Sequence, residues 1–245
     1  MKNELKLTKT HDVCKAGEPE LTVVLIHGIA SDSSSFDGLL EYLEDSDEMK
    51  AARFVTFDLL GAGKSNSSDE LNYDFDEQLT ALDNSINELN ITTPLIIISH
   101  SMGTMITARY ADNHKRLVKG LVLVSPPIYR KEDLENPIFM AAMDGFREIV
   151  RHKNRQVAES KAFNNEIENI ILNPGNHGYF EKISQPTKII YGELDKLIVP
   201  TNIPKLVKSN SNITAIMTAG SHGVTHEKFS KVMDALKKFL KESRQ

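Results

Sequence analysis

The chain has 245 residues, which suits one α/β domain with a large buried core, and 26% of them are charged. Its net charge of −5 argues against a sequence-independent grip on nucleic acid, which needs a basic face. Its single cysteine, Cys14, rules out an internal disulfide and is read as a buried or partly buried thiol in an early strand. Along the chain, short β-rich runs alternate with helical patterns. This argues for an α/β fold with a mainly parallel sheet and helices on both faces. The start, Met1-Lys-Asn-Glu-Leu-Lys, carries charges but no following apolar core of ~7–15 residues, so no secretory signal is read there. Eight strands are predicted, at residues 4–8, 13–15, 21–26, 53–57, 95–99, 120–124, 187–191 and 213–218, the first two pairing as an antiparallel edge. None of the apolar runs approaches the ~20 residues that cross a bilayer. A cytoplasmic protein is expected.

Two helices are clear from their spacing. Phe75, Leu79, Leu82, Ile86 and Leu89 recur on one face, with Asp74, Asp76 and Glu77 placed where the helix dipole favours negative charge. Near the end, Phe229, Val232, Met233, Leu236, Phe239 and Leu240 form a stripe, with Lys231, Lys237, Lys238 and Lys241 elsewhere. A basic amphipathic helix can bind membranes, but core packing with a solvated lysine face is the reading adopted, and no membrane partner is expected. Between residues 125 and 185 the alternation stops. Phe139, Met140, Met143, Phe146 and Val150 form one helical stripe and Ile167, Ile170 and Ile171 another, before Asn173-Pro-Gly-Asn breaks the pattern.

Chemistry concentrates at strand ends, where open α/β sheets bind ligands. Residues 95–104 read Leu-Ile-Ile-Ile-Ser-His-Ser-Met-Gly-Thr, an apolar strand that turns into a helix with Ser101 at the turn and small residues, Ser99 and Gly103, two positions either side. A hydroxyl held there beside unpaired helix N–H groups can attack a carbonyl. Asp195 follows the strand at 187–191, in Gly192-Glu-Leu-Asp195, and His222 comes 27 residues later, in Gly220-Ser-His222. Serine is a poor nucleophile at neutral pH and needs a base, which in turn needs an orienting partner. His222 is the candidate base and Asp195 its partner, with His226 the competing base. The order Ser, Asp, His is that of α/β-hydrolases.

With His27-Gly28 after the strand at 21–26 and Asp58-Leu-Leu-Gly61-Ala-Gly63-Lys-Ser65 after the next, the chain resembles the α/β-hydrolase superfamily, and within it the small, capped, esterase-like members. Ser99 stands where the family has Gly, and Ala62 where relatives often have His. The resemblance implies an α/β-hydrolase fold in a single domain over residues 1–245, with a helical cap inserted at about 126–185 and arching over Ser101. It also implies an oxyanion hole made by the backbone N–H groups of Ile29 and Met102. Met140, Met143 and Phe146 are the candidates to line an acyl pocket. His27 is expected to brace the oxyanion loop, and His100 to point away from the nucleophile.

The implied activity is a serine hydrolase, a carboxylesterase cleaving a small-molecule carboxylic ester or thioester through an acyl-Ser101 intermediate. Carbon–carbon bond hydrolases and amidases use the same three residues, and a ligand-binding module on a hydrolase scaffold is the non-enzyme alternative. No cofactor is implied. Gly-Lys-Ser65 mimics a phosphate loop, but Asp58 stands where that motif needs Gly, and Asn66 breaks the dinucleotide pattern. No His, Cys and carboxylate cluster has metal-ligand spacing, and nothing in the sequence sets an oligomeric state.

Overall fold

The computed structural model describes residues 5–243. Residues 1–4, which hold most of the charged start and the first residue of the first predicted strand, lie outside the described residues. The chain folds into a seven-stranded sheet rather than the eight predicted: β1 (Thr8–Cys14), β2 (Leu21–Ile26), β3 (Ala52–Asp58), β4 (Leu95–His100), β5 (Val118–Val124), β6 (Thr187–Gly192) and β7 (Ile213–Thr218). Their order is β1-β3-β2-β4-β5-β6-β7, with β1 antiparallel to β3 and every other pair parallel.

The missing strand has a simple cause. The two short strands predicted near the N-terminus are replaced by the single strand β1, which continues through Lys9-Thr-His-Asp12. Its pairing is polar: Thr10, in a bulge, meets Thr56 hydroxyl to hydroxyl at 2.7 Å, and Arg53 donates to both oxygens of Asp12. An edge strand with one wet face needs no apolar run. Cys14 ends this strand, half-buried as expected.

The central strands read as continuous apolar runs because both faces are covered. Leu21, Val23 and Leu25 of β2, with Ile96 and Ile98 of β4, face α1 (Asp37–Glu44) and α9 (His226–Ser243). Val24, Ile26, Leu95 and Ile97 face the other way, into the core shared with α2 (Phe75–Glu88) and α3 (Met102–Asn113). All five apolar positions predicted for the α2 stripe are buried. The helix starts where Asp74 accepts the N–H of Glu77, so Asp74 is its N-cap and not part of its first turn. The predicted stripe of α9 is buried throughout. Burying a side chain of this size contributes about 1.5–3 kcal/mol, so α9 is held to the sheet by its own apolar face.

Between β5 and β6 the chain runs through α4 (Lys131–Leu134), α5 (Pro137–Lys153), α6 (Arg155–Ala158) and α7 (Lys161–Glu166), then a π-helical turn at Ile167–Ile171 and a 3-10 turn at Pro174–Tyr179. Asn173 caps that last turn by accepting the N–H of Gly175. Helix α8 (Asn202–Ser209) joins β6 to β7. Among the described residues, no helix is long and apolar enough to cross a membrane.

Candidate active site

Ser101 sits between β4 and α3 with φ 49° and ψ −126°, a conformation an L-residue holds only under constraint. The constraint is visible. Its N–H donates to Val124 O on β5, and its C=O accepts both the N–H and the hydroxyl of Thr104. The helix backbone then runs so close to β2 that a Cβ on Gly103 would lie 2.3 Å from His27 O, which makes glycine obligatory there. On the other side of the turn there is room: Ser99 is fully buried and its hydroxyl meets that of Thr107 on α3 at 2.7 Å. A serine thus replaces the family's glycine at the cost of one internally satisfied hydroxyl.

The three residues singled out from the sequence come together. Ser101 Oγ lies 2.8 Å from His222 Nε2, and His222 Nδ1 lies 2.9 Å from both carboxylate oxygens of Asp195. The Asp195 side chain is fully buried, whereas that of His222 is 21% exposed. Burial pushes the Asp195 carboxyl up, but hydrogen bonds from His222 and Leu197 N–H, with the electrostatic pull of the imidazole and the nearby Ser125 hydroxyl, outweigh it and hold the group below the usual carboxylate range. Asp195 is therefore an anion that accepts from Nδ1–H and leaves Nε2 free to take a proton from Ser101. The two loops are held against each other through Gly192, where a Cβ would meet Gly220 O at 2.3 Å. The competing His226 is exposed at the start of α9, its ring against Tyr42 and Phe229, away from Ser101. Glu193, two residues before the acid, is likewise exposed.

The loop after β2 lies against the turn, since a Cβ on Gly28 would come within 2.8 Å of Ser101 Cβ. His27 braces it as expected: Nδ1–H donates to Gly28 O and Nε2 accepts the N–H of Leu59. Burial lowers the pKa of this imidazole, against the opposing effect of the Gly28 bond, and keeps it neutral. Met102 N–H opens α3 and is one of the helix's orphan donors. Ile29 lines the same cavity as Ser101. Asp58, at the end of β3, is structural. It accepts the N–H groups of Ser33 and Lys64, and a Cβ on Gly63 would lie 2.2 Å from its carboxylate.

The cavity beside Ser101 has a free volume of about 50 Å³ and is walled by Pro127, Tyr129, Met143, Phe146, Ile171 and Leu197 in addition to Ile29. Of the candidate acyl-pocket residues, Met143 and Phe146 line it. Met140 does not; it is half-buried against the apolar core one helical turn before Met143. His100 departs from expectation as well. Its ring lies 5.0 Å from that of His222 and lines the cavity, and its Nε2–H donates to His222 O. Burial, then the charges of His222 and Lys228, bring its pKa down to about 3, so it is a neutral hydrogen-bond donor. Sequence reading also missed Lys228, a fully buried cation on α9 whose ammonium reaches the His222 loop. Its spacing of one helical turn from Val232 is the signal in the sequence that puts it in phase with the buried stripe.

The model of the alpha/beta hydrolase fold family matches residues 22–166, more than half of the chain, and the chain belongs to that family. BODYGUARD 5 of Arabidopsis thaliana, whose name describes a probable lysophospholipase, is 28% identical over 57% of this chain. The chain spans only 31% of that protein's length. Lipase 1 of Psychrobacter immobilis is 25% identical, with 82% of this chain and 70% of the lipase covered. Among solved structures, an esterase from Exiguobacterium antarcticum superposes with a TM-score of 0.73 at 17% identity, covering 96% of this chain and 95% of the esterase, which shows a shared fold.

Proposed function

We propose that the protein is a serine hydrolase that cleaves small carboxylic esters through an acyl-Ser101 intermediate. The observation that carries this reading is the continuous hydrogen-bonded line from Ser101 Oγ through His222 to the buried Asp195 carboxylate. Ser101 Oγ attacks the ester carbonyl carbon as its proton passes to His222 Nε2. The imidazolium, stabilised by Asp195, returns that proton to the departing alcohol as the carbon–oxygen bond breaks. Water then attacks the acyl carbon, again with His222 as base, and releases the acid and free Ser101. Negative charge on the carbonyl oxygen is met by the N–H groups of Met102 and Ile29, each donor lowering the barrier by on the order of 2.7–4 kcal/mol.

In this reading the helices between β5 and β6 form a cap, inserted at about residues 126–185 of one domain. Its side chains Met143, Phe146 and Ile171 close the acyl pocket over Ser101. The pocket's small free volume favours short acyl groups, with room for longer ones gained only as the flexible Met143 side chain moves. Esterases and lipases among the similar proteins support the same substrate class.

A fluorophosphonate probe tests the assignment. It should add one adduct, mapped to Ser101, and Ser101→Ala should abolish both labelling and ester turnover. Members of one catalytic unit are non-additive, so Ser101→Ala with His222→Ala should be barely slower than either alone. Labelling at Ser99, Ser125 or Ser221 instead would overturn the proposal. A panel of esters, thioesters, amides and β-diketones of graded acyl length identifies the bond cleaved. Binding of an ester without turnover would show a ligand-binding module instead.

A further inference from the structure

The loop that carries His222 has no regular structure of its own between β7 and α9, yet its backbone is held at every residue around the imidazole. Ser221 O and Gly223 O each accept a hydrogen bond from Lys228 Nζ at 2.6 Å, and His222 O between them accepts from His100 Nε2 at 2.9 Å. The third N–H of the ammonium donates to Ser125 Oγ at 3.2 Å, and the Ser125 hydroxyl lies near enough to the Asp195 carboxylate to favour its charged form. Ser125, at the end of β5, is held at φ 51°, a strained conformation for serine, and its N–H donates to Ile190 O on β6.

Lys228 is 0% exposed, so its charge has been taken out of water entirely. Burying an ammonium is costly unless its N–H groups find acceptors. An apolar side chain on this stripe of α9 would pack without that cost. The ammonium's three acceptors all belong to the segments that set the positions of His222 and Asp195.

Given the reading of Ser101, His222 and Asp195 as the reacting unit, we propose that Lys228 is a positioning residue. Its ammonium fixes the backbone on both sides of His222 and, through Ser125, orients the Asp195 carboxylate. Lys228 does not line the cavity, so it should act on the rate of chemistry and not on substrate binding.

The test uses the full chain as wild type, Lys228→Met and Ser125→Ala, with p-nitrophenyl acetate as substrate. The second readout is the low-field proton resonance of the His222 Nδ1–H bonded to Asp195, assigned by its loss in His222→Ala. In Lys228→Met, kcat should fall at least tenfold with KM within twofold, and the resonance should broaden or vanish. Ser125→Ala should give a smaller loss of the same kind. A folded Lys228→Met with a lowered melting temperature but unchanged kcat and resonance would reduce Lys228 to a structural anchor and overturn the proposal. If Lys228→Met does not fold, an unchanged resonance in Ser125→Ala overturns it equally. Should the wild type fail to turn over any ester, the reading of the reaction falls, while the resonance still decides the role of Lys228.

Discussion

Glu166 is the carboxyl whose environment most strongly predicts a pH-dependent stability. It lies at the end of α7, 5% exposed, and among the described residues its one hydrogen-bond partner is Gln78, whose Nε2 donates to Oε1 at 3.0 Å. Gln78 in turn is locked to α2's neighbouring loop, donating to Leu60 O and accepting Leu60 N–H, both at 3.1 Å. Burial pushes the Glu166 pKa from 4.5 up to about 8, and the single bond from Gln78 offsets this only in part. Between these two values the unfolded chain has lost the proton while the folded chain keeps it. Stability must then fall as pH rises, by about 1.4 kcal/mol per pH unit, and level off above the folded value. The span of 8 − 4.5 = 3.5 units gives a loss of about 5 kcal/mol by pH 8. That figure is a ceiling, because local opening of α7 lets water reach the carboxylate at lower cost than global unfolding.

Glu166→Gln removes the titration, keeps the shape and still offers an oxygen to Gln78. Urea denaturation of both proteins at pH 5, 6, 7 and 8 should show the variant gaining on the wild type with each step, reaching several kcal/mol at pH 8. If the difference between the two stays flat within about 1 kcal/mol across that range, Glu166 is hydrated in the folded state and the reasoning fails.

Other substitutions follow from the same geometry. His226→Ala should leave ester turnover within about twofold of wild type, because its ring packs on Tyr42 and Phe229; kcat/KM settles this, and its loss with His222→Ala intact would reassign the base. Gly103→Ala should destroy activity and cost more than about 3 kcal/mol in chemical denaturation, since its Cβ would lie 2.3 Å from His27 O. Ser99→Ala, which strips one partner from the Thr107 hydroxyl, should cost only about 1 kcal/mol and keep activity. Met143→Ala and Phe146→Ala should move the preferred ester toward longer acyl chains, and Met140→Ala should not. An unchanged chain-length profile in the first two would show that the pocket lies elsewhere.

What could be read in the sequence, and what could not, divides by the range of the interaction that decides it. The elbow at Ser101 is legible because strand, turn and helix lie within ten consecutive residues, and because backbone contact leaves Gly103 without an alternative. The order of Ser101, Asp195 and His222 is legible for a related reason: parallel strands bring their ends to one edge of the sheet. Strand β1 is not legible as one strand because its pairing rests on Thr10–Thr56 and Asp12–Arg53 contacts, which hydropathy does not register. The direction of His100 is set by a backbone carbonyl of the distant loop between β7 and α9, and the exclusion of Met140 from the cavity by how α5 packs on the body, so no local pattern contains them.

Lys228 shows the same division within one helix. Lys231, Lys237, Lys238 and Lys241 of α9 fall on the solvated face that the periodicity predicts, and none of them is buried. Lys228 follows the periodicity of the apolar stripe, so position alone places it inside the protein, where a charge has no reason to be on packing grounds. Its reason is found only in the acceptors it meets there, two carbonyls of the His222 loop and the hydroxyl that faces Asp195. A lysine in phase with a buried stripe, six residues after a candidate catalytic histidine, is thus itself a readable signal: the helix sacrifices apolar contact at that position to hold the preceding loop.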